Sequence, residues 1–213
     1  MENLLTVHTL LNGPFEENCY LVHLPGSREG ILVDPGSSPK ELKEGIAGTG
    51  VKPVLILATH GHQDHVGAVQ EMKDAFSAPF HCHRDEEELL EGLEDSYAFY
   101  GMGSTRRPKV DRYLADGEQV EAAGLKLAVL HTPGHSRGSL CFLHRGSATL
   151  FSGDTLFRRS IGRSDFPGGS AEAILNSIRG KLFTLPEDTR VLPGHGGETS
   201  IGAEKRENPF VKG

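Results

Sequence analysis

The sequence predicts a mixed α/β fold. Three observations carry that prediction. Continuous apolar runs end in glycine-rich turns, apolar residues recur at helical spacing after some of them, and the second half holds paired strand-like runs around tight turns. Leu4–Val7, Cys19–His23 and Gly30–Asp34 read as opening strands, with turns at Gly13-Pro14 and Pro25-Gly26. Ser38–Gly48 reads as a short helix closed by glycine. Val54–Thr59 is a continuous apolar strand of the kind buried on both faces. A helix is expected over Val66–Ser77, because Val66, Val69, Met72 and Phe76 recur at close to a helical period and form an inward stripe. Pro79–His83 follows as a strand and Arg84–Leu93 as a helix, with Asp85, Glu86, Glu87 and Glu88 forming a solvated acidic face. Asp95–Lys109 is less regular and reads as a helix–loop connector, with Tyr97, Phe99, Tyr100 and Met102 available to cover a site. Gln119–Glu121 with Leu125–Leu130, and Leu140–His144 with Ala148–Ser152, predict two hairpins. A helix over Ala171–Lys181 turns Ile174, Ile178 and Leu182 inward, and Thr189–Leu192 is the last strand.

The apolar run Val54–Thr59 delivers the chemistry at its carboxyl end, where sites in open α/β sheets form. There the chain reads Thr59-His60-Gly61-His62-Gln63-Asp64-His65. His60 and His62 lie two apart, so an extended backbone points both imidazoles the same way, whereas the adjacent Asp64 and His65 diverge and can serve a second ion. Imidazole and carboxylate without thiolate suit zinc, iron or manganese, in a catalytic rather than a structural site. Three later glycine-rich turns, each after an apolar run, supply further candidates: His135 in Pro133-Gly134-His135, Asp154 in Ser152-Gly153-Asp154, and His195 in Pro193-Gly194-His195. The remaining histidines (His8, His23, His81, His83, His131 and His144) have no place in this pattern, although His81 and His83 share a strand face.

A length of 213 residues suits one domain with a substantial core, spanning the whole chain. Net charge is −7, so no electrostatic footprint for nucleic acid is visible. Cys19, Cys82 and Cys141 are odd in number and scattered, as expected of reduced thiols in a cytoplasmic protein. The N-terminus carries no basic segment, and Thr6, His8 and Asn12 interrupt its apolar stretch, so it does not read as a secretory leader. No uninterrupted apolar run is long enough to cross a bilayer.

On these motifs the sequence resembles the metallo-β-lactamase superfamily, and within it the short glyoxalase II-like hydrolases. The similarity runs from Gly13-Pro14-Phe15-Glu16-Glu17-Asn18-Cys19-Tyr20 through Val33-Asp34-Pro35-Gly36, the metal turns and Ile161-Gly162-Arg163-Ser164-Asp165-Phe166 to Glu207-Asn208-Pro209-Phe210. The resemblance implies a four-layer αβ/βα sandwich with metals at the edge between two sheets. It also implies two ligand sets: His60, His62 and His135 for one ion, Asp64, His65 and His195 for the other, and Asp154 bridging both. Two divalent ions are expected, zinc first, with iron or manganese as alternatives. Cations ~3.5–4 Å apart can share a hydroxide and bring its pKa towards ~7, which provides a nucleophile without serine or cysteine. Asp64 and Asp154 are thus the expected catalytic carboxylates. Asp34 is expected to orient a ligand or loop, with an Asp-Pro-Gly turn as the alternative.

The glyoxalase II resemblance implies a small thioester substrate, S-D-lactoylglutathione or a relative, and no nucleic-acid or membrane partner. Longer members carry a C-terminal helical domain that contacts glutathione, and this chain runs from His195 almost directly to Asn208-Pro209-Phe210. Their basic substrate contact falls at Arg163, while the tyrosine expected two positions on is Asp165. Arg163 is therefore the candidate for a substrate carboxylate, with a buried ion pair to Asp165 as the alternative. Persulfide dioxygenases resemble the chain too, through a string like Gly162–Phe166. They imply one iron held by His60, His135 and Asp154.

Overall fold

The computed structural model describes residues 4–212; residues 1–3 and 213 of the expected domain lie outside it. Strands β1 (Thr6–Asn12), β2 (Glu17–His23), β3 (Glu29–Val33), β4 (Lys52–Leu57), β5 (Phe80–His83) and β6 (Arg112–Leu114) bond in chain order into one six-stranded sheet. The first three are antiparallel and the last four parallel to one another. Each parallel step needs a crossover, and helices supply it. They are α1 (Pro39–Thr49) before β4, α2 (Gln63–Val66) and α3 (Val69–Phe76) before β5, and α4 (Glu87–Glu91) and α5 (Leu93–Phe99) before β6.

The second sheet takes β7 (Gln119–Ala122), β8 (Leu125–His131), β9 (Leu140–His144), β10 (Thr149–Gly153), β13 (Arg190–Pro193) and β14 (Thr199–Ser200), in the order β14-β13-β10-β9-β8-β7. Between β10 and its parallel partner β13 come the small hairpin β11 (Leu156–Phe157) and β12 (Ser160–Ile161), and then helix α6 (Ala171–Ser177). Helix α7 (Ile201–Glu207) follows β14.

Three apolar clusters show how these elements stack. Leu42, Ile46, Val69, Met72 and Leu90 from the crossover helices pack with Leu21, Leu32, Ile56 and Phe80 on one face of the first sheet. Tyr20, Val22, Ile31, Val33 and Leu57 from its other face meet Leu127, Val129, Phe142 and Phe151 of the second sheet. Cys141, Leu143, Leu150 and Val191 on the far face of the second sheet meet Ile174, Ile178, Leu182 and Ile201. The result is the expected αβ/βα sandwich of four layers. Because each sheet is covered on both faces, β2, β9 and β10 are buried along their whole length, with Cys19–Val22, Leu140–Leu143 and Leu150–Phe151 as their apolar stretches.

Several elements differ from expectation. The first strand runs to Asn12, because its polar residues pair in register with β2 from Thr6↔His23 to Asn12↔Glu17. The helix expected over Val66–Ser77 is two, since Ala68 leaves helical torsions (φ −99°, ψ 1°) and its N–H turns to Pro35 O at 3.1 Å; beside it Gly67 packs so closely that a Cβ would lie 2.2 Å from the Tyr97 ring. Asp64 and His65 therefore sit on the short helical turn α2. Asp95–Lys109 opens inside α5, and Ser96 and Tyr100 of that segment line the cleft described below. Glu86, expected on a solvated face, is fully buried. No helix among the described residues is long and apolar enough to cross a membrane. Cys19, Cys82 and Cys141 are buried free thiols.

Candidate metal centre

Seven side chains converge at one edge of the sandwich, on the loops and the short helix that follow the carboxyl ends of four strands. The loop after β4 supplies His60 and His62 and leads into α2 with Asp64 and His65, while the turn after β8 supplies His135. Asp154 follows β10 and His195 follows β13, neighbouring parallel strands in which Gly153 pairs with Pro193. The two sheets are stitched together there. Leu140 N–H donates to Thr59 O at 2.7 Å, Asn18 N–H to Gly194 O at 2.7 Å, and the Asn18 side-chain amide to Pro193 O at 3.0 Å and Gly196 O at 2.9 Å. Gly194 is needed for this closeness, because a Cβ there would lie 2.4 Å from Asp154 Oδ1 and 2.6 Å from the His65 ring.

The ligand-type atoms form two adjoining sets. His60, His62 and His135 bring one nitrogen each within 4.8 Å of one another, and so do the donor atoms of Asp64, His65 and His195. Asp154 stands between the sets, with Oδ1 3.4 Å from His65 Nε2 and Oδ2 3.5 Å from His135 Nε2. His195 Nε2 lies 3.3 Å from Asp64 Oδ2 and 3.8 Å from Asp154 Oδ2. His60 Nε2 and Asp154 Oδ1 are buried with no hydrogen-bond partner among the described residues. Orphaned polar atoms in an interior are costly unless something binds them, and a divalent cation fits this donor set of imidazoles and carboxylates.

The surroundings turn the imidazole lone pairs inward. His65 Nδ1 donates to Asp34 Oδ2 at 3.0 Å, His135 Nδ1 to Arg163 O at 2.7 Å and His195 Nδ1 to Phe15 O at 3.0 Å. Thr59 Oγ1 donates to Asp34 Oδ2 at 2.6 Å, which leaves its lone pair to accept from His60 Nδ1 at 3.1 Å. These four rings therefore face the centre through Nε2. His62 does so through Nδ1, 2.9 Å from His135 Nε2. Partners of this kind fix the tautomer and orientation of metal-binding histidines. Asp34 is thus more than a turn residue: it is buried, and its Oδ1 also accepts Thr59 N–H at 2.7 Å.

Electrostatics separate the sets. Burial and neighbouring imidazoles hold His60 well below the ordinary histidine range and push His62 down to about 4; burial also lowers His135. Neutral imidazole is the form that ligates. Burial opposes charge on His65 as well, yet Asp154 and Asp64 outweigh it and raise its pKa well above the ordinary value. Asp154 is depressed far below the usual carboxylate range, because His65 and His135 overcome the opposing effect of burial. The negative field that favours a proton on His65 equally favours a cation beside it.

A cleft of about 630 Å³ opens over the centre, lined among others by Phe15, Tyr100, Phe157, Ile161, Arg163 and Phe166. A groove of about 710 Å³ elsewhere, lined by Leu24, Lys126 and His144, contains none of the converging groups. Arg163 lines the cleft, but its ion pair with Asp165 is exposed, not buried: the bidentate contacts are 3.0 Å each and both side chains are 68% accessible. The guanidinium lies 4.3 Å from the Phe166 ring centroid. His81 and His83 do not gather ligands; His83 stacks on His131 instead, with ring centroids 4.3 Å apart.

Sequence reasoning missed two buried carboxylates here. Glu17 is fully buried, accepts from Asn12 Nδ2 at 2.5 Å, and places Oε1 3.8 Å from His65 Nδ1. Burial pushes its pKa well above the usual carboxylate range. Its only signal was an acidic residue opening an otherwise apolar strand. Glu86 had none, since it sits in a run of acidic residues.

Known proteins carry the same framework. The probable metallo-hydrolase YqgX of Bacillus subtilis is 37% identical over 94% of this chain and 95% of its own. The hydroxyacylglutathione hydrolase GloC of Haemophilus influenzae is 35% identical over 92% and 93%. Among solved structures, BLEG-1 B3 metallo-beta-lactamase superposes with a TM-score of 0.91 at 37% identity, covering 98% of this chain and all of that one. TTHA1623 in a di-iron-bound form gives 0.88 at 40% identity, covering 96% and 100%. ETHE1 from Myxococcus xanthus gives 0.79 at 27% identity, covering 96% and 83%. The family model of the metallo-beta-lactamase superfamily matches residues 12–195, a span that opens at the end of β1 and closes on the last converging histidine, and the chain belongs to that superfamily.

Proposed function

We propose that this protein is a dinuclear metal-dependent hydrolase that cleaves a thioester, S-D-lactoylglutathione or a close relative, to a carboxylic acid and a thiol. The observation that carries the reading is Asp154, set between two complete triads with one oxygen towards each. His60, His62 and His135 would hold one divalent ion, Asp64, His65 and His195 the other, and Asp154 would bridge them. Zinc suits the donors, and iron, as in the di-iron relative, or manganese suits them too. When bound, such a pair supplies Lewis acidity for the carbonyl and brings water towards ionisation at neutral pH.

The chain's own residues do the rest. Asp34 and the carbonyls of Phe15 and Arg163 keep imidazole protons on the outer nitrogens, so the inner lone pairs stay free. Asp64 and Asp154 present carboxylates to the cleft; against the opposing effect of burial, neighbouring imidazoles hold both below the usual carboxylate range, so they stay ionised beside the reacting atoms. Phe15, Tyr100, Phe157 and Phe166 give an apolar wall that excludes water around the scissile bond. Arg163 is the proposed contact for a substrate carboxylate, which would take the place of Asp165 on its guanidinium. The thioester choice is supported by the similarity to GloC, and the reading of one domain acting in the cytoplasm by three scattered free thiols.

The competing reading is a mononuclear iron persulfide dioxygenase using His60, His135 and Asp154, and the likeness to ETHE1 favours it. A complete second triad of Asp64, His65 and His195 favours two ions. Elemental analysis of purified protein, alongside an S-lactoylglutathione assay, tests the choice. Two ions per chain, with hydrolysis lost on chelation and regained on metal addition, are expected. One iron per chain with oxygen uptake on glutathione persulfide would refute the hydrolase.

A further inference from the structure

Glu86 is a fully buried carboxylate that the proposed chemistry does not use. It ends the 3-10 turn Arg84–Glu86 after β5 and reaches into the junction between the two halves of the molecule. Its Oε2 accepts Gly61 N–H at 2.5 Å; its Oε1 accepts Ser136 O–H at 2.7 Å and Gly138 N–H at 2.6 Å. Gly61 lies between His60 and His62, and Ser136 directly follows His135. One carboxylate thus ties together the two segments that supply the first triad, although His62 and His135 stand 73 residues apart. Neither Asp64, His65 nor His195 is among its hydrogen-bond partners.

Both backbones are shaped around this side chain. A Cβ on Gly61 would lie 3.0 Å from Glu86 Oε2 and 3.0 Å from Leu89 Cβ. On Gly138 it would lie 2.7 Å from Glu86 Oε1 and 2.8 Å from His83 Nδ1. Glycine at both places lets the amides reach the carboxylate. Hydrogen bonds to an ionised acceptor are short and strong, and three of them on one rigid buried group leave the connected loops little freedom.

We propose that Glu86 is a positioning residue that sets the separation of His60 and His62 from His135, and so the metal affinity of the first triad alone. The proposal rests on the two-triad reading above. Glutamine is the sharpest probe, since it keeps the volume but replaces one acceptor oxygen with an amide. That amide must then face the N–H of either Gly61 or Gly138, so one arm of the tie is lost.

Two backgrounds isolate the sites. His195→Ala disables the second triad and His135→Ala the first, and Co(II) affinity is then read calorimetrically with and without Glu86→Gln. Removing an outer partner of a ligand costs ~10–100-fold in metal affinity. Glu86→Gln should therefore weaken Co(II) binding by about 10–100-fold in the His195→Ala background and by less than about threefold in the His135→Ala background. Equal weakening in both, or none in the first, overturns the proposal. Glu88→Gln removes the same charge from an exposed neighbour paired with Arg137 at 3.2 Å, and both affinities should hold; a matching loss there also overturns it. Should Glu86→Gln not fold, Ser136→Ala removes one donor of the three. It must then show the same selectivity at about three- to tenfold, and equal losses at both sites refute the tie. Wild-type protein that takes up Co(II) but hydrolyses no thioester refutes the proposed activity and leaves this inference standing. Wild-type protein that takes up none refutes both.

Discussion

Replacing Asp34 with asparagine exchanges one oxygen for an amide nitrogen and leaves shape and backbone alone. Asp34 has a φ of 53°, a left-handed conformation that asparagine adopts as readily as aspartate. Its Oδ1 must still accept Thr59 N–H at 2.7 Å, so the new NH2 group turns towards His65 Nδ1, 3.0 Å away. Two donors cannot share that contact. His65 escapes only by moving its proton to Nε2, the nitrogen that faces Asp154 and the centre. The wild-type bond joins a charged acceptor to a fully buried ring, and such bonds are worth ~1.5–3 kcal/mol. That converts to an affinity loss of about 10- to 150-fold at the second site. Stepwise calorimetric titration of metal-free protein with Zn(II) measures it. At least one binding event should weaken by this factor, since Thr59 Oγ1, which donates to the same oxygen at 2.6 Å and accepts from His60 Nδ1, must turn away as well; the far-ultraviolet circular dichroism spectrum should stay unchanged. Two events within about threefold of wild type would refute the tautomer argument.

Asp154→Ala removes the proposed bridge without touching the apolar clusters and should lower kcat/KM for S-lactoylglutathione more than about 100-fold in a folded protein; wild-type turnover would be fatal to the proposal. Phe151→Ala empties a site between the sheets where its ring lies 5.4 Å from that of Tyr20, and urea unfolding should lose about 3–5 kcal/mol; a loss under about 1 kcal/mol would contradict the packing. Burial opposes ionisation of Asp111, yet Lys73 and the Phe80 N–H at 2.7 Å hold its carboxyl below the usual range. A depressed folded-state pKa stabilises above the unfolded value of about 4, and that stability is lost as pH falls through the folded value. Asp111→Asn should therefore lower the Tm at pH 7 and leave it unchanged near pH ~2; equal losses at both would contradict the charge argument.

The converging residues could be named from the chain because each follows an apolar strand and breaks a turn with a ligand-type side chain. Long-range geometry hid the rest. The expected helix breaks at Ala68, whose N–H turns to the distant Pro35 carbonyl, a contact that no local pattern reveals. β6 and β14 hold three and two residues and owe their existence to neighbours across the sheet, β5 and β13. α7 shows an N-cap in Ser200, whose hydroxyl accepts from Ala203 N–H, but its apolar face is too short to announce a helix. Glu86 looks like Asp85, Glu87 and Glu88 in composition, and only the docking of a turn about fifty residues later turns it inward. Arg163 shows the opposite case, because opposite charges two positions apart left a buried pair open as an alternative where the backbone leaves both in water.

The stitch between Asn18 and the loop at Pro193–Gly196 spans 175 to 178 positions along the polypeptide. A nascent chain emerging from its N-terminus displays the early imidazoles long before their last counterparts are synthesised. Loop-closure entropy over such a separation must be met before these contacts give anything back, so the catalytic edge belongs to the end of folding rather than to its nucleus. Captured ions would then act as a late clasp, slowing escape from the finished structure far more than they hasten arrival at it.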